Sequence, residues 1–136
     1  MNFNVEVVPF DAETGRVLGA PRALTAGNQS IYFMHFSPDA RSIVYQRSQG
    51  AGTHLWRLDI GSEPVQITSD PRFEDANPQW SPDGKSIAFN RVLLHSQKRG
   101  LWLVSPDGSD PRQILDQIDF TPRWVPDGSG LIQSDR

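Results

Sequence analysis

Trp80-Ser81-Pro82-Asp83-Gly84-Lys85-Ser86-Ile87-Ala88-Phe89 decides how this 136-residue chain folds. It spells the end of one strand, a tight turn and the start of the next. Pro82 presets φ for the second position of a type I turn, and Asp83 can accept nearby backbone N–H groups. Gly84 takes a positive φ, which lets a short hairpin follow the strand twist. The pattern stands 44 residues earlier as Phe36-Ser37-Pro38-Asp39-Ala40-Arg41-Ser42-Ile43-Val44-Tyr45. It returns 44 residues later as Trp124-Val125-Pro126-Asp127-Gly128-Ser129-Gly130-Leu131-Ile132-Gln133. Two equal intervals with matching aromatic, Pro-Asp and apolar positions mark a repeat architecture. Ala40 takes the place of the turn glycine in the first copy. Keeping the turn geometry there is expected to cost about 1 kcal/mol.

Working outward, each copy is followed by a second pair of strand patterns. Leu55-Trp56-Arg57-Leu58-Asp59-Ile60 alternates, Gly61-Ser62-Glu63-Pro64 turns, and Val65-Gln66-Ile67-Thr68 closes a first unit over residues 31–68. Leu101-Trp102-Leu103-Val104, Ser105-Pro106-Asp107-Gly108 and Arg112-Gln113-Ile114-Leu115 do the same for a second unit over residues 77–115. Trp56 and Trp102 are 46 residues apart, so the middle loop of the second unit is two residues longer. Residues 122–135 hold only the first two strands of a unit. Residues 1–25 hold only the last two, with Val5 to Phe10 matching Leu101 to Ser105 and Arg22-Ala23-Leu24-Thr25 matching Val65-Gln66-Ile67-Thr68. Counts of two, four, four and two predict twelve strands in a single domain over residues 1–136, with almost no helix. The recurring large aromatics are expected to join neighbouring sheets.

Composition narrows the function. A hydrophobic fraction of 37 % with 21 % charged residues is that of a globular chain with a core. A net charge of -3 provides no polybasic field, so nucleic acid is not an expected partner. No apolar run approaches the roughly 20 residues that span a bilayer, so no membrane span is expected. The absence of cysteine rules out disulfides and thiolate zinc sites and fits a reducing compartment. The start, Met1-Asn2-Phe3-Asn4-Val5-Glu6, has neither the basic nor the apolar region of a signal peptide. A cytoplasmic location is therefore favoured over a periplasmic one, although a mature form would have lost such a leader.

Four-stranded units of this length carrying Trp-Ser-Pro-Asp-Gly-Lys-x-Ile-x-Phe resemble the TolB-like β-propeller repeat, a relative in shape of the WD-type repeats. The likeness rests on Trp80 to Phe89, Phe36 to Tyr45, Trp124 to Ile132 and the two tryptophan strands, and covers nearly the whole chain. It implies an all-β fold of radial four-stranded antiparallel blades, with the strand ending in Trp80 innermost. Members of that family usually carry six blades, and here there is material for three. Such propellers occur in periplasmic TolB, as gates of prolyl-oligopeptidase-like peptidases, and as sensor-like regions of bacterial winged-helix regulators. Val7-Val8-Pro9-Phe10-Asp11-Ala12-Glu13-Thr14-Gly15 is similar to segments of the last kind. Three blades cannot close a ring, and open blade flanks invite association. Either two chains close head to tail into six blades as a homodimer with shared blades, or the chain is a fragment of a longer propeller.

No catalytic constellation is legible. There is no Gly-x-Ser-x-Gly elbow and no cysteine nucleophile. His35, His54 and His95 occupy unmatched positions and read as surface or strand-edge histidines. Asp70, Glu74 and Asp75 lack the spacing of a calcium loop, and Gly50-Ala51-Gly52 and Gly128-Ser129-Gly130 precede no helix, so neither metal nor cofactor is expected. The functional expectation comes from position. Residues 25–30, 69–77 and 116–121, with 46–54 and 90–100, read as loops sharing one rim. Arg47 and Arg91 recur there at a spacing of 44, and Glu74, Asp75 and Asp119 can face them. Simple pairing of these arginines with neighbouring carboxylates, for solubility, is the favoured explanation. The expected function is a non-enzymatic module binding a ligand, peptide or protein at the rim or in the central channel. The alternative is an accessory gate or sensor region of a larger protein.

Overall fold

The computed structural model describes residues 3–27, 30–50, 52–119 and 121–133. Two four-stranded antiparallel sheets form its centre. The first blade is β5 (Ser30–Phe36), β6 (Ser42–Gln49), β7 (Gly52–Asp59) and β8 (Val65–Gln66), hydrogen-bonded in chain order. The second is β9 (Phe73–Trp80), β10 (Ile87–Leu93), β11 (Lys98–Val104) and β12 (Arg112–Leu115), again in chain order. A final hairpin pairs β13 (Arg123–Trp124) with β14 (Leu131–Ile132). No helix occurs among the described residues. The fold is all-β and of the β-propeller type.

The N-terminal hairpin is broken into two short ladders. β1 (Glu6–Val7) pairs with β4 (Arg22–Ala23), and β2 (Phe10–Asp11) pairs with β3 (Arg16–Val17). A single bond from Leu18 N to Pro9 O, 2.8 Å, joins them. Pro9 and Pro21 have no N–H to contribute, so the ladder cannot run through. The described residues therefore hold fourteen strands where the sequence predicts twelve.

Each repeat turn is built as its sequence requires. Gly84 N donates to Ser81 O at 2.9 Å, Ala40 N to Ser37 O at 2.9 Å and Gly128 N to Val125 O at 2.8 Å. Ala40 holds φ +58 beside +72 and +76 for the two glycines, so the left-handed conformation survives the missing glycine. Ser81 and Ser37 hydroxyls each donate to the turn aspartate at 2.6 Å. These bonds hold Asp83 and Asp39 below the usual carboxylate range. Val125 has no hydroxyl. Ser129 takes over, and its bonds lower Asp127 in the same way.

Three of the expected rim loops are largely strand. β9 starts at Phe73, so Glu74 and Asp75 are ladder residues and residues 69–77 are a loop only at their start. β6 runs to Gln49 and β7 starts at Gly52, so Arg47 and His54 are paired opposite each other. β10 runs to Leu93 and β11 starts at Lys98, so Arg91 is likewise in a strand. Polarity misleads here because these side chains find cross-strand partners, which removes the cost of placing them in a sheet. A bulge recurs as well. Register shifts at Phe33 in β5 and at Asn77 in β9, 44 residues apart, and both take positive φ, +45 and +52. Asn tolerates that region, whereas Phe33 is strained there.

The core lies between the blades. Val44, Leu55 and Ile67 of the first blade share a buried cluster with Trp80, Ile87, Phe89 and Val104 of the second. Ala88, Leu101 and Ile118 continue it, with Trp124 and Leu131 packed against them. Polar joints repeat with the layers. Gln46 Oε1 accepts Asn77 N at 3.0 Å, and Asn90 Nδ2 donates to Thr121 Oγ1 at 3.1 Å one unit later. His35 Nδ1 accepts Trp80 N at 3.1 Å, and Gln79 Nε2 donates to Pro122 O at 2.6 Å. His35, on the edge strand β5, and His54, partly buried in β7, thus face the seam between blades. Burial, followed by the nearby Arg123 charge, lowers the His35 pKa and keeps the imidazole a neutral acceptor.

Candidate functional site

The ladder places Arg91 in the middle of the second blade, opposite Asp75 on one side and Gly100 on the other. Arg91 Nε donates to Asp75 Oδ1 at 2.6 Å and Nη2 to Oδ2 at 3.0 Å, a two-pronged pair. Its side chains are 7 % and 0 % exposed. Phe73, Phe89 and Trp102 surround the guanidinium, whose carbon stands 4.8, 5.2 and 4.8 Å from their ring centroids. Aromatic faces favour a cation at such range, and the bidentate carboxylate neutralises it. His54 of the first blade brings Nδ1 to 3.5 Å from Asp75 Oδ2, too long for a good hydrogen bond.

Above this pair opens a cleft of about 810 Å³. Phe73 and Trp102 form one wall, their rings tilted by 55° with centroids 6.1 Å apart. Gly100 lies in the floor. A Cβ there would meet Gln113 Nε2 and Leu115 O at 2.9 Å and Trp102 Nε1 at 3.2 Å, so only glycine leaves the strands and the indole in place. The mouth carries exposed charges of both signs, Lys98 and Arg99 with Asp116 and Asp119.

The structure brings three of the five sequence-derived rim residues to this place. Arg91 and Asp119 line the cleft, and Asp75 lies behind Arg91. Glu74 alternates away from Asp75 along β9, opposite Val92. Arg47 belongs to the first blade, half-buried, with its guanidinium carbon 4.6 Å from the Trp56 centroid. Sequence reasoning missed Phe73, Gly100 and His54. Trp102 was marked only as a repeat position. Gly100 carried a readable signal, since the strand register puts it where the first unit has His54.

The acidic string near the cleft is committed elsewhere. Arg72 grips Asp70 at 2.6 and 3.0 Å and holds it far below the usual carboxylate range, while Asp75 is taken by Arg91. Among the described residues no group of three His, Asp or Glu side chains is arranged to hold a metal ion. The cleft residues described form no nucleophile–base pair.

No protein-family model matches the chain. It is 29 % identical over 116 residues to an uncharacterized protein of Agrobacterium fabrum, covering 84 % of this chain and 39 % of the relative. It is 33 % identical over 78 residues to the Tol-Pal system protein TolB of Zymomonas mobilis, covering 57 % of this chain and 17 % of that protein. A solved structure described as a TolB of Agrobacterium tumefaciens superposes with a TM-score of 0.70 at 29 % identity, over 81 % of this chain and 39 % of that one. A weaker likeness, 24 % over 116 residues, is to an uncharacterized peptidase of Bacillus subtilis, 76 % of this chain and 17 % of the peptidase. The chain thus spans well under half the length of these relatives.

Proposed function

We infer that the chain is a non-enzymatic binding module whose rim cleft takes a polypeptide segment. The observation that carries this reading is the Asp75–Arg91 pair, buried and ringed by three aromatics beneath an open, doubly charged cleft. Such a pair is rigid and internally neutralised, so it supports a surface and leaves the recognition to the groups around it. Trp102 and Phe73 offer apolar planes, and the charges at the mouth offer orientation. Similarity to TolB proteins is consistent with a scaffold of this kind.

Panning a displayed heptapeptide library against the wild type and against the double variant Lys98→Glu, Arg99→Glu, which reverses exposed charges at the mouth, tests the reading. Enrichment of related peptides by the wild type alone is expected, and equal enrichment by both proteins would overturn it. The second reading is an accessory gate of a peptidase, favoured by the likeness to the Bacillus subtilis protein. A nucleophile elbow encoded in the same gene would select it.

A further inference from the structure

Pairing with a neighbouring carboxylate accounts for Arg91 and leaves Arg47 unexplained. In the second blade Asp75, Phe89 and Arg91 stand together around the buried pair. Ile31, Tyr45 and Arg47 precede them by 44 residues. The register is the same, with Arg47 opposite Ile31 and Arg91 opposite Asp75. The first blade thus keeps the cation, loses the carboxylate and gains a hydroxyl. Ile31 is 3 % exposed and its side chain offers no acceptor. Among the described residues no ion pair forms on Arg47, and no group accepts a hydrogen bond from its guanidinium.

Arg47 is half-buried, and its guanidinium carbon stands 4.6 Å from the Trp56 ring centroid. Stacking fixes the planar fork and leaves its N–H groups unused. Tyr45 is fully buried, and its hydroxyl has no partner among the described residues. Burial raises the pKa of that hydroxyl and the Arg47 charge opposes the rise, which places the two groups near each other. Both are donors at neutral pH, with no acceptor between them. The seam between the complete blades shows which part of a preceding blade approaches this position. It is His54, the residue before Leu55. Val5 corresponds to Leu55, since Val5 N donates to Thr25 Oγ1 as Leu55 N donates to Thr68 Oγ1, each at 2.9 Å. Asn4 therefore takes the part of His54. Its Nδ2 donates to Gly27 O and its Oδ1 accepts Thr25 Oγ1, both at 3.3 Å. The counterpart is in place, and it brings no carboxylate with it.

We propose that Arg47 anchors a carboxylate group of a bound ligand, which supplies the charge that Asp75 supplies to Arg91. A guanidinium meets a carboxylate through two parallel N–H···O bonds, and one cation suits one negative charge. Trp56 adds an apolar plane beside it. An acidic side chain and a peptide C-terminus share this chemistry. The site lies in the first blade and the rim cleft in the second, so each stands or falls without the other.

NMR titration of the full chain tests it, with the Trp56 indole N–H and the Arg47 Nε–H as reporters. The probes are N-acetylglutamic acid α-amide and N-acetylglycine, with N-acetylglutamine amide as the uncharged control. Saturable shifts of both resonances are expected with the carboxylates and not with the control. The tighter carboxylate tells whether a side chain or a chain terminus is the better source. Arg47→Gln is expected to weaken binding, read at the Trp56 indole, about tenfold or more. Ile31→Asp should do the same by supplying the carboxylate internally. Shifts with the control that match those with the carboxylates overturn the proposal. So does an unchanged dissociation constant in Arg47→Gln, or the absence of a saturable shift at Trp56. If a variant loses its fold, Arg47→Lys is read instead, since it keeps the charge without the fork. Several-fold weaker binding is expected from it, and an unchanged constant refutes the assignment.

Discussion

The two complete blades share a plan and differ at the rim. In the second, Asp75, Arg91, Gly100 and Trp102 build a buried ion pair under a cleft. In the first, the register puts Ile31, Arg47, His54 and Trp56 in those places. Ile31 is 3 % exposed and joins the apolar cluster, so Arg47 has no carboxylate across the ladder and lies over Trp56 instead. At the place of Gly100 the first blade carries His54, whose Nδ1 stands 3.5 Å from Asp75 Oδ2. One repeat frame thus holds Ile and His in the first blade where the second holds Asp and Gly. The lesson is that a repeat specifies backbone and aromatic positions, while function is written in the departures from it.

The largest effect should come from copying the first blade into the second. Asp75→Ile leaves Arg91 buried without its partner and is expected to cost about 3–5 kcal/mol in urea unfolding. Adding Arg91→Leu should recover most of that loss, since an apolar pair of similar volume is close to neutral in such a site. A single variant as stable as the wild type would show that the three aromatic rings alone support the cation.

The turns sharpen the comparison next. Ala40→Gly gives the first blade the residue that the second already has, at φ +58. It should stabilise by about 1 kcal/mol, and Gly84→Ala should destabilise by a similar amount. Equal midpoints for both variants would mean that the left-handed conformation carries no strain.

His35 and Gln79 occupy the same position in successive blades and both serve the seam. The folded-state pKa of His35 lies below its ordinary 6.5. The folded protein therefore binds fewer protons there than the unfolded chain. The stability it contributes is full above pH 6.5 and declines as pH falls through the folded value. His35→Gln should flatten the stability profile in that window, and a profile unchanged by the substitution would remove His35 as its source. The smallest effect is expected at Tyr45, whose buried hydroxyl has no hydrogen-bond partner among the described residues and whose counterpart is Phe89. Tyr45→Phe should be neutral or stabilising by about 1 kcal/mol or less in thermal unfolding.

Much of the fold was legible in the chain. Phe36, Trp80 and Trp124 before a Pro-Asp turn set the period, and turn chemistry is local, so a few adjacent residues dictate the backbone. The strand pairs around Trp56 and Trp102 followed from alternation. The rim was less legible. Residues 69–77 and 90–100 look like loops because they are polar, and only a neighbouring strand reveals that Asp75 and Arg91 satisfy each other. Asp119 was placed near them by symmetry, but Glu74 was placed wrongly because strand alternation decides which side it takes.

By itself the sequence determined the repeat length, the turn geometry, the sheet order and the aromatic positions, because each depends on residues close in the chain or on a period that copies them. Only the tertiary structure decided which polar residues are buried and where a cleft opens. Those depend on groups brought together from different blades, such as His54 against Asp75 or Trp80 against Val44, and burial of a charge or a ring is a property of the assembled neighbours.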